Sequence, residues 1–405
     1  MPRHILGNRD FSRALNRSTV LNTVKSRGPI ARTEVARHTG LSAATVTGIT
    51  SELIREGLIF EKASGDSRGG RRPILLALNP RGGFVVGLKL TESEAIGALT
   101  DLEATVIAKR VGRLASRSPE KVVEALAALV TNLVTENNLR KKQLLGVGLG
   151  LAGIVDAQRG ILRQSPYFGW RDLPLRRMLQ EHVRTAVHID NDVNTLTITE
   201  KWFGAGQGTD DFLTVTVGRG VGLGIVVNGQ FYRGASGGAG EFGHTVVDPD
   251  GPPCDCGKRG CLETFVGDPG LLRMASEAVS KGMIPGPVKD IDDLLALAKD
   301  GSAAAQAVFA RAGDVLGQGI ANLINIFNPQ CILISGEGVR AGDWLFGPMR
   351  EAVASHVMPG LAGNTEIRID PWGDDAWARG AAGLVLRELF ESPLHREPVE
   401  SVTTG

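Results

Sequence analysis

Three of the four cysteines in this 405-residue chain fall within eight positions, at Cys254, Cys256 and Cys261. So sparse a set argues against a disulfide framework and for a metal site. Cys-X-Cys-Gly is a tight metal-binding knuckle, and His244 lies ten residues before Cys254. One imidazole with three thiolates completes a tetrahedral zinc sphere with no open position, which makes the metal structural rather than hydrolytic. Free structural cysteines and a satisfied core histidine are the alternatives; Glu241 and Glu263, flanking the cluster, weigh toward ligation. Cys331, in an apolar strand-like run, reads as a small buried hydrophobe.

A net charge of +1 conceals an uneven distribution. Residues 1–80 hold 13 Lys/Arg against 6 Asp/Glu, and the remainder is acidic by six. A basic head on an acidic body points the head toward a polyanion, with a solvated basic surface as the alternative. The longest near-continuous apolar run, Leu144 to Val155, spans 12 residues and contains four glycines, too short for a bilayer. Arg3, Arg9 and Arg13 interrupt the N-terminal stretch, so no signal-peptide core is present. A cytoplasmic protein without a membrane partner is expected.

From Ser18 to Pro80 the pattern predicts three helices and a hairpin. Val20, Leu21 and Val24 form one stripe, and Val35 and Ala36 are the buried positions of a second helix ending at Gly40. Ser42 is suited to cap a third. There Val46, Ile49 and Leu53 face inward, leaving Thr45, Thr47, Thr50 and Ser51 near the outer surface. Two helices joined by a short glycine turn make a helix-turn-helix. Ile59–Glu61 and Ile74–Leu76 read as the arms of a wing whose loop carries Arg68, Arg71 and Arg72. The candidate DNA contacts are Arg32, Thr33, Ser42, Ala43, Thr45, Thr47, Arg68, Arg71 and Arg72; a helical protein-interaction module is the alternative.

From Phe84 onward strand-like and helix-like segments alternate, which predicts an α/β fold. Gly218–Gly224 reads as a turn able to bring backbone amides near an anion, or simply as a tight strand turn. His188-Ile-Asp190-Asn191-Asp192-Val-Asn194 lies between an apolar strand and a helix. Its Asn and Asp side chains can take vicinal hydroxyls in paired hydrogen bonds, as a sugar requires, or can cap the helix.

Taken together these segments resemble the ROK family of repressors, open reading frames and sugar kinases, over about residues 8–390. The chain resembles the regulator branch, in which a winged helix-turn-helix precedes a two-lobed, actin-like (RNase H-like) sugar-kinase body. Thr33–Val46 and Gly70-Arg-Arg-Pro73 are similar to that branch's head and linker. The glycine turn, Gly240–His244 and the block from Cys254 to Glu263 are similar to the family signature, and Asn325–Gly336 and Ala378–Ala382 to further segments. The resemblance implies structural zinc on His244, Cys254, Cys256 and Cys261. It also implies sugar contacts from Asn191, Asp192, Glu241, His244 and Glu263, with Asp192 at the general-base position of the family's kinases. The expected domains are a head and linker at 1–80, a first lobe at 81–195 completed by a helix at 375–392, a second lobe with the zinc site at 196–374, and a tail at 393–405.

One departure argues against catalysis. Family kinases open the body with Asp-X-Gly-Gly-Thr, whereas this chain has Gly87-Leu-Lys-Leu-Thr-Glu-Ser93. Glu92 and Glu94 place negative charge where phosphates would lie, and phosphoryl transfer depends on positioning and charge neutralisation. Arg219 also stands where kinases carry threonine. The expectation is a sugar-responsive repressor without enzyme activity, acting on operator DNA as a homodimer or homotetramer. An active kinase that has gained a DNA-binding head is the main alternative, and a regulator controlled by a protein partner the third. A head that is a separate domain should be removable at residue 80 without loss of zinc or ligand binding.

Overall fold

The computed structural model describes residues 8–62, 74–370 and 376–390. These form two compact units, one comprising the described residues up to Phe203 and from Trp377 on, the other those from Gly204 to Ala376.

The first unit begins with helices Asn8–Arg27, Arg32–Thr39 and Ala43–Arg55. Val20, Leu21, Val24, Val35, Val46, Ile49 and Leu53 are buried together, as their spacing requires. Gly40 closes the second helix at φ +70°, a left-handed conformation that glycine adopts without cost. Strands Ile59–Lys62 and Leu75–Leu78 pair antiparallel, and the short strand Ile30–Ala31 joins on the free side of the latter. Thr50 departs from expectation. It is 0% exposed, because it follows Val46 by four residues and shares its inward face. Its hydroxyl accepts from Arg32 Nε at 3.1 Å and donates to the Thr47 carbonyl at 3.2 Å.

The same unit continues into a five-stranded sheet. Leu144–Leu151 and Val187–Asn191 run parallel to Phe84–Leu90 on one side; Glu94–Thr100 and Val106–Arg113 follow antiparallel on the other. Side chains alternate across it. Val86, Leu88 and Leu90 pack with helices Pro119–Glu136 and Leu175–Val183, while Val85 faces the opposite way. There it joins Leu102, Leu386 and Phe390 in the core that also contains the N-terminal helices. Deleting residues 1–80 would therefore uncover the buried face of helix Ala376–Phe390.

The second unit repeats that sheet order with different residues. Phe212–Val217 is central, with Val221–Val227 and Gln230–Phe231 antiparallel on one side and Cys331–Ser335 and Glu366–Ile369 parallel on the other. Its core lies between this sheet and helices Asp268–Ser280, Ile291–Lys299, Ala303–Phe327 and Asp343–His356. The glycine run is mostly strand. Gly222 and Gly224 pair with Thr216 and Thr214, so the turn itself is only residues 218–220. No described helix is long and apolar enough to cross a membrane.

Candidate functional site

The four zinc-candidate residues converge. One donor atom from each of His244, Cys254, Cys256 and Cys261 lies within 4.8 Å of all the others. Cys254 Sγ is 3.5 Å from His244 Nδ1 and Cys256 Sγ is 3.6 Å from Cys261 Sγ. Zinc–sulfur bonds of about 2.3 Å imply tetrahedral edges of roughly 3.7 Å, so the donor set fits zinc in number, type and spacing. Backbone geometry enforces the convergence. Cys254 N–H donates to the Lys258 carbonyl, Gly257 N–H to that of Cys254, and Gly260 N–H to that of Pro252. Gly260 has φ +65°, and a Cβ there would stand 1.4 Å from the Asp248 carbonyl oxygen, so only glycine fits. Burial pushes the Cys254 thiol up to about 12, so without a cation it would stay protonated.

Glu263 and Glu241 bracket the imidazole. Glu263 Oε1 lies 3.4 Å from His244 Nδ1, and Glu241 Oε2 lies 3.8 Å from Nε2. One ring nitrogen thus faces the sulfurs, while the other faces a half-exposed carboxylate able to accept hydroxyl protons.

Asn191 and Asp192 stand where strand Val187–Asn191 passes into helix Asp192–Phe203 in the first unit. Asn191 does cap that helix: its Oδ1 accepts from Val193 N–H at 2.9 Å and Asn194 N–H at 3.3 Å, and its Nδ2 donates to the Gly153 carbonyl. Asp190, wholly buried, accepts from Asn191 N–H and Asn194 Nδ2 and fixes the turn from beneath. Asp192 is half-buried, and its Oδ1 accepts from Val193 N–H. The capping reading therefore holds for Asn191 and leaves its second amide proton for a ligand.

The turn after strand Phe84–Leu90 carries side chains rather than glycines. Thr91 and Glu94 close it with reciprocal hydrogen bonds, Glu92 pairs with Arg117 at 3.1 Å, and Glu94 lies 3.8 Å from Arg113. Lys89 lays its ammonium over the Trp377 ring, 4.1 Å from the centroid. In the second unit, Glu337 is a residue the sequence reading passed over. Its carboxylate stands 2.5 Å from where a Cβ of Gly218 would be, against the turn at 218–220. The signal was a charge placed one glycine beyond the buried strand Cys331–Ser335.

In the head, Thr33, Ser42, Ala43 and Thr47 are exposed and Thr45 is half-buried. Arg32 is tied down, with Nη2 2.8 Å from Glu61 Oε1 and Nε on Thr50, and so braces the second helix against the wing strand. Arg68, Arg71 and Arg72 lie outside the described residues. Ser42 Oγ accepts from Thr45 N–H at 3.1 Å. Ser42→Ala should cost about 1 kcal/mol. Hydrogen exchange in helix Ala43–Arg55 would read this as roughly fivefold faster opening, and unchanged protection would show the cap to be idle.

The chain is 31% identical to the xylose repressor of Bacillus subtilis (strain 168) over 386 residues, covering 95% of this chain and 98% of that one. It is 30% identical to the DNA-binding transcriptional dual regulator NagC of Escherichia coli (strain K12) over 399 residues, covering 98% of each. A crystal structure of a ROK family transcriptional regulator, a homolog of the E. coli MLC protein, superposes with TM-score 0.85 at 26% identity, covering 95% of this chain and 98% of that one. A ROK family glucokinase from Streptomyces griseus, solved with glucose and AMPPNP, superposes with TM-score 0.66 at 28% identity, covering 75% of this chain and 99% of the enzyme. The sequence profile of the ROK family matches residues 85–388, and the chain belongs to that family.

Proposed function

We propose that the protein is a sugar-responsive transcriptional regulator, and most specifically a repressor, built on a kinase body that no longer transfers phosphate. One observation carries this reading: a glucokinase is accounted for almost entirely by three quarters of this chain, whereas the repressors match it from end to end. The surplus is the three-helix, three-stranded head, which has the element order of a winged helix-turn-helix. Exposed Thr33, Ser42, Ala43 and Thr47, with Thr45 beside them, would approach base edges and phosphates; Arg68, Arg71 and Arg72 would supply charge from the wing. Arg32 would act by positioning. Two heads in a homodimer or homotetramer would read half-sites of an operator.

The effector is a sugar, and the side chains that would take its hydroxyls are Asn191, Asp192, Glu241, His244 and Glu263. Zinc on His244, Cys254, Cys256 and Cys261 would be structural: it would neutralise the thiolates and fix the imidazole, leaving Nε2 for a ligand. Loss of kinase activity is supported by the turn at Thr91–Glu94, with its two carboxylates, and by Glu337 against the turn at 218–220. Acidic groups at both turns oppose the gathering of phosphate oxygens.

The test is a thermal-shift screen headed by xylose and N-acetylglucosamine, the sugars for which relatives are named, run beside an ATP-consumption assay. One sugar should stabilise the protein, by about 2.7 kcal/mol at one hundred times its Kd. Asp192→Ala should abolish that shift, and no sugar should drive ATP turnover. Sugar-dependent turnover that disappears in Asp192→Ala would instead establish an active kinase.

A further inference from the structure

The head is joined to the body around one lysine. Lys25, in the last turn of helix Asn8–Arg27, donates from Nζ to the Trp202 carbonyl at 2.9 Å. That carbonyl is among the last of helix Asp192–Phe203, where carbonyls lack helical partners and the helix dipole favours a cation. Three rings enclose the ammonium: Phe203 at 3.9 Å from its centroid, Phe390 at 4.7 Å and Trp202 at 5.4 Å. One turn earlier, Asn22 Nδ2 donates to the Phe390 carbonyl at 2.5 Å. Burial pushes the Lys25 ammonium down to about 8, with Glu103 opposing that shift. Its described contacts are rings and a carbonyl rather than a close carboxylate.

The helix that Lys25 grips begins at Asp192. Along its length it is packed tightly on helix Ala376–Phe390. A Cβ on Gly383 would stand 2.1 Å from Thr199 Oγ1, and one on Gly380 would stand 3.1 Å from Leu196 N. Thr199 Oγ1 also donates to the Gly380 carbonyl at 3.2 Å. A pair packed this closely transmits displacement instead of absorbing it. A shift at Asp192 therefore reaches Trp202, Phe203 and Phe390, the groups that surround Lys25.

We propose that Lys25 couples sugar to DNA: it is the positioning residue through which helix Asp192–Phe203 sets the orientation of the DNA-binding head. This rests on the sugar-responsive reading above. A ligand held at the start of the helix favours one placement of its last turn, and the ammonium imposes that placement on helix Asn8–Arg27. Coupling then follows from the different fit of the lysine to its cage in the two states.

The test uses the full chain. The probe sugar is whichever of xylose, N-acetylglucosamine or glucose stabilises the wild type, and the DNA is a duplex selected by the wild type from a random pool. In the wild type, saturating sugar should change DNA affinity by about tenfold, within the usual range of allosteric coupling. Lys25→Met should bind sugar alone and DNA alone within about threefold of wild type, yet show a coupling factor within about twofold of unity. Lys25→Arg, which keeps the cation and donor, should restore most of the coupling. Intact coupling in Lys25→Met overturns the proposal alone, whereas a wild type on which no sugar acts overturns the sugar-responsive reading and this proposal with it. Hydrogen exchange on the wild type provides a check that does not depend on the variant's folding. Sugar should alter protection at residues 20–27, and unchanged protection there while DNA affinity shifts overturns the proposal.

Discussion

Cys261→Ala is expected to release the zinc and open the knuckle. Cys261 is 0% exposed, and its removal leaves three donors around a cation that requires four. The consequence is not confined to the loop. Neighbouring Leu262 and Phe242 press on helix Ala303–Phe327 so closely that a Cβ on Gly319 would stand 2.4 Å from one and 2.7 Å from the other. Apparent binding energies of structural zinc in small peptides run to about 10–16 kcal/mol. A larger unit with its own core should lose less, on the order of 3 kcal/mol or more, lowering Tm by roughly 6–12 °C. Metal analysis should fall from about one ion per chain to a small fraction. Cys331→Ala is the control: it too is buried, but among Phe212, Val226 and Leu333, and it should retain the metal. A Cys261→Ala protein that holds zinc, or a wild type whose Tm is indifferent to chelation, would remove the metal from the reading.

Phe390→Ala should have the other large effect, about 3–5 kcal/mol, as for a fully buried aromatic truncated in a rigid core. Phe390 is 0% exposed and lies edge-on to Phe203, with ring centroids 6.2 Å apart. Because the same cluster includes Val20, Leu21 and Val24, the substitution should weaken DNA binding as well as stability, although Phe390 lies 357 residues beyond Thr33, the first of the candidate DNA-binding threonines. Thermal unfolding and a DNA-binding titration on one preparation check both effects. An unfolding curve matching wild type would show that head and body do not share a core.

Local sequence carried much of this structure. Strands Phe84–Leu90, Leu144–Leu151, Phe212–Val217 and Cys331–Ser335 coincide with short apolar runs, and helices Pro119–Glu136 and Ala303–Phe327 start after Ser118 and Ser302, whose side chains accept from first-turn amides. Those signals are short-range, and composition reports them directly. The metal candidates were legible for the same reason, since three cysteines and a histidine within 18 residues have few ways to avoid one another. The inward position of Thr50 was legible in its spacing of four residues from Val46; what the letters did not carry is the partner of its hydroxyl, Arg32, eighteen residues earlier. The repeated sheet order left no trace in the letters, because many apolar residues satisfy the same alternation.

Sequence alone thus determined the element types, the knuckle and the charge division between head and body, each a property of neighbouring residues. Only tertiary structure decided that the core of the head runs on into the body, that Glu337 sits against the turn at 218–220, and that Lys25 ends in an aromatic cage. Each of these joins residues more than a hundred positions apart. Such a pairing is chosen by packing of the whole unit, where the burial of one side chain depends on every neighbour, and not by local preference.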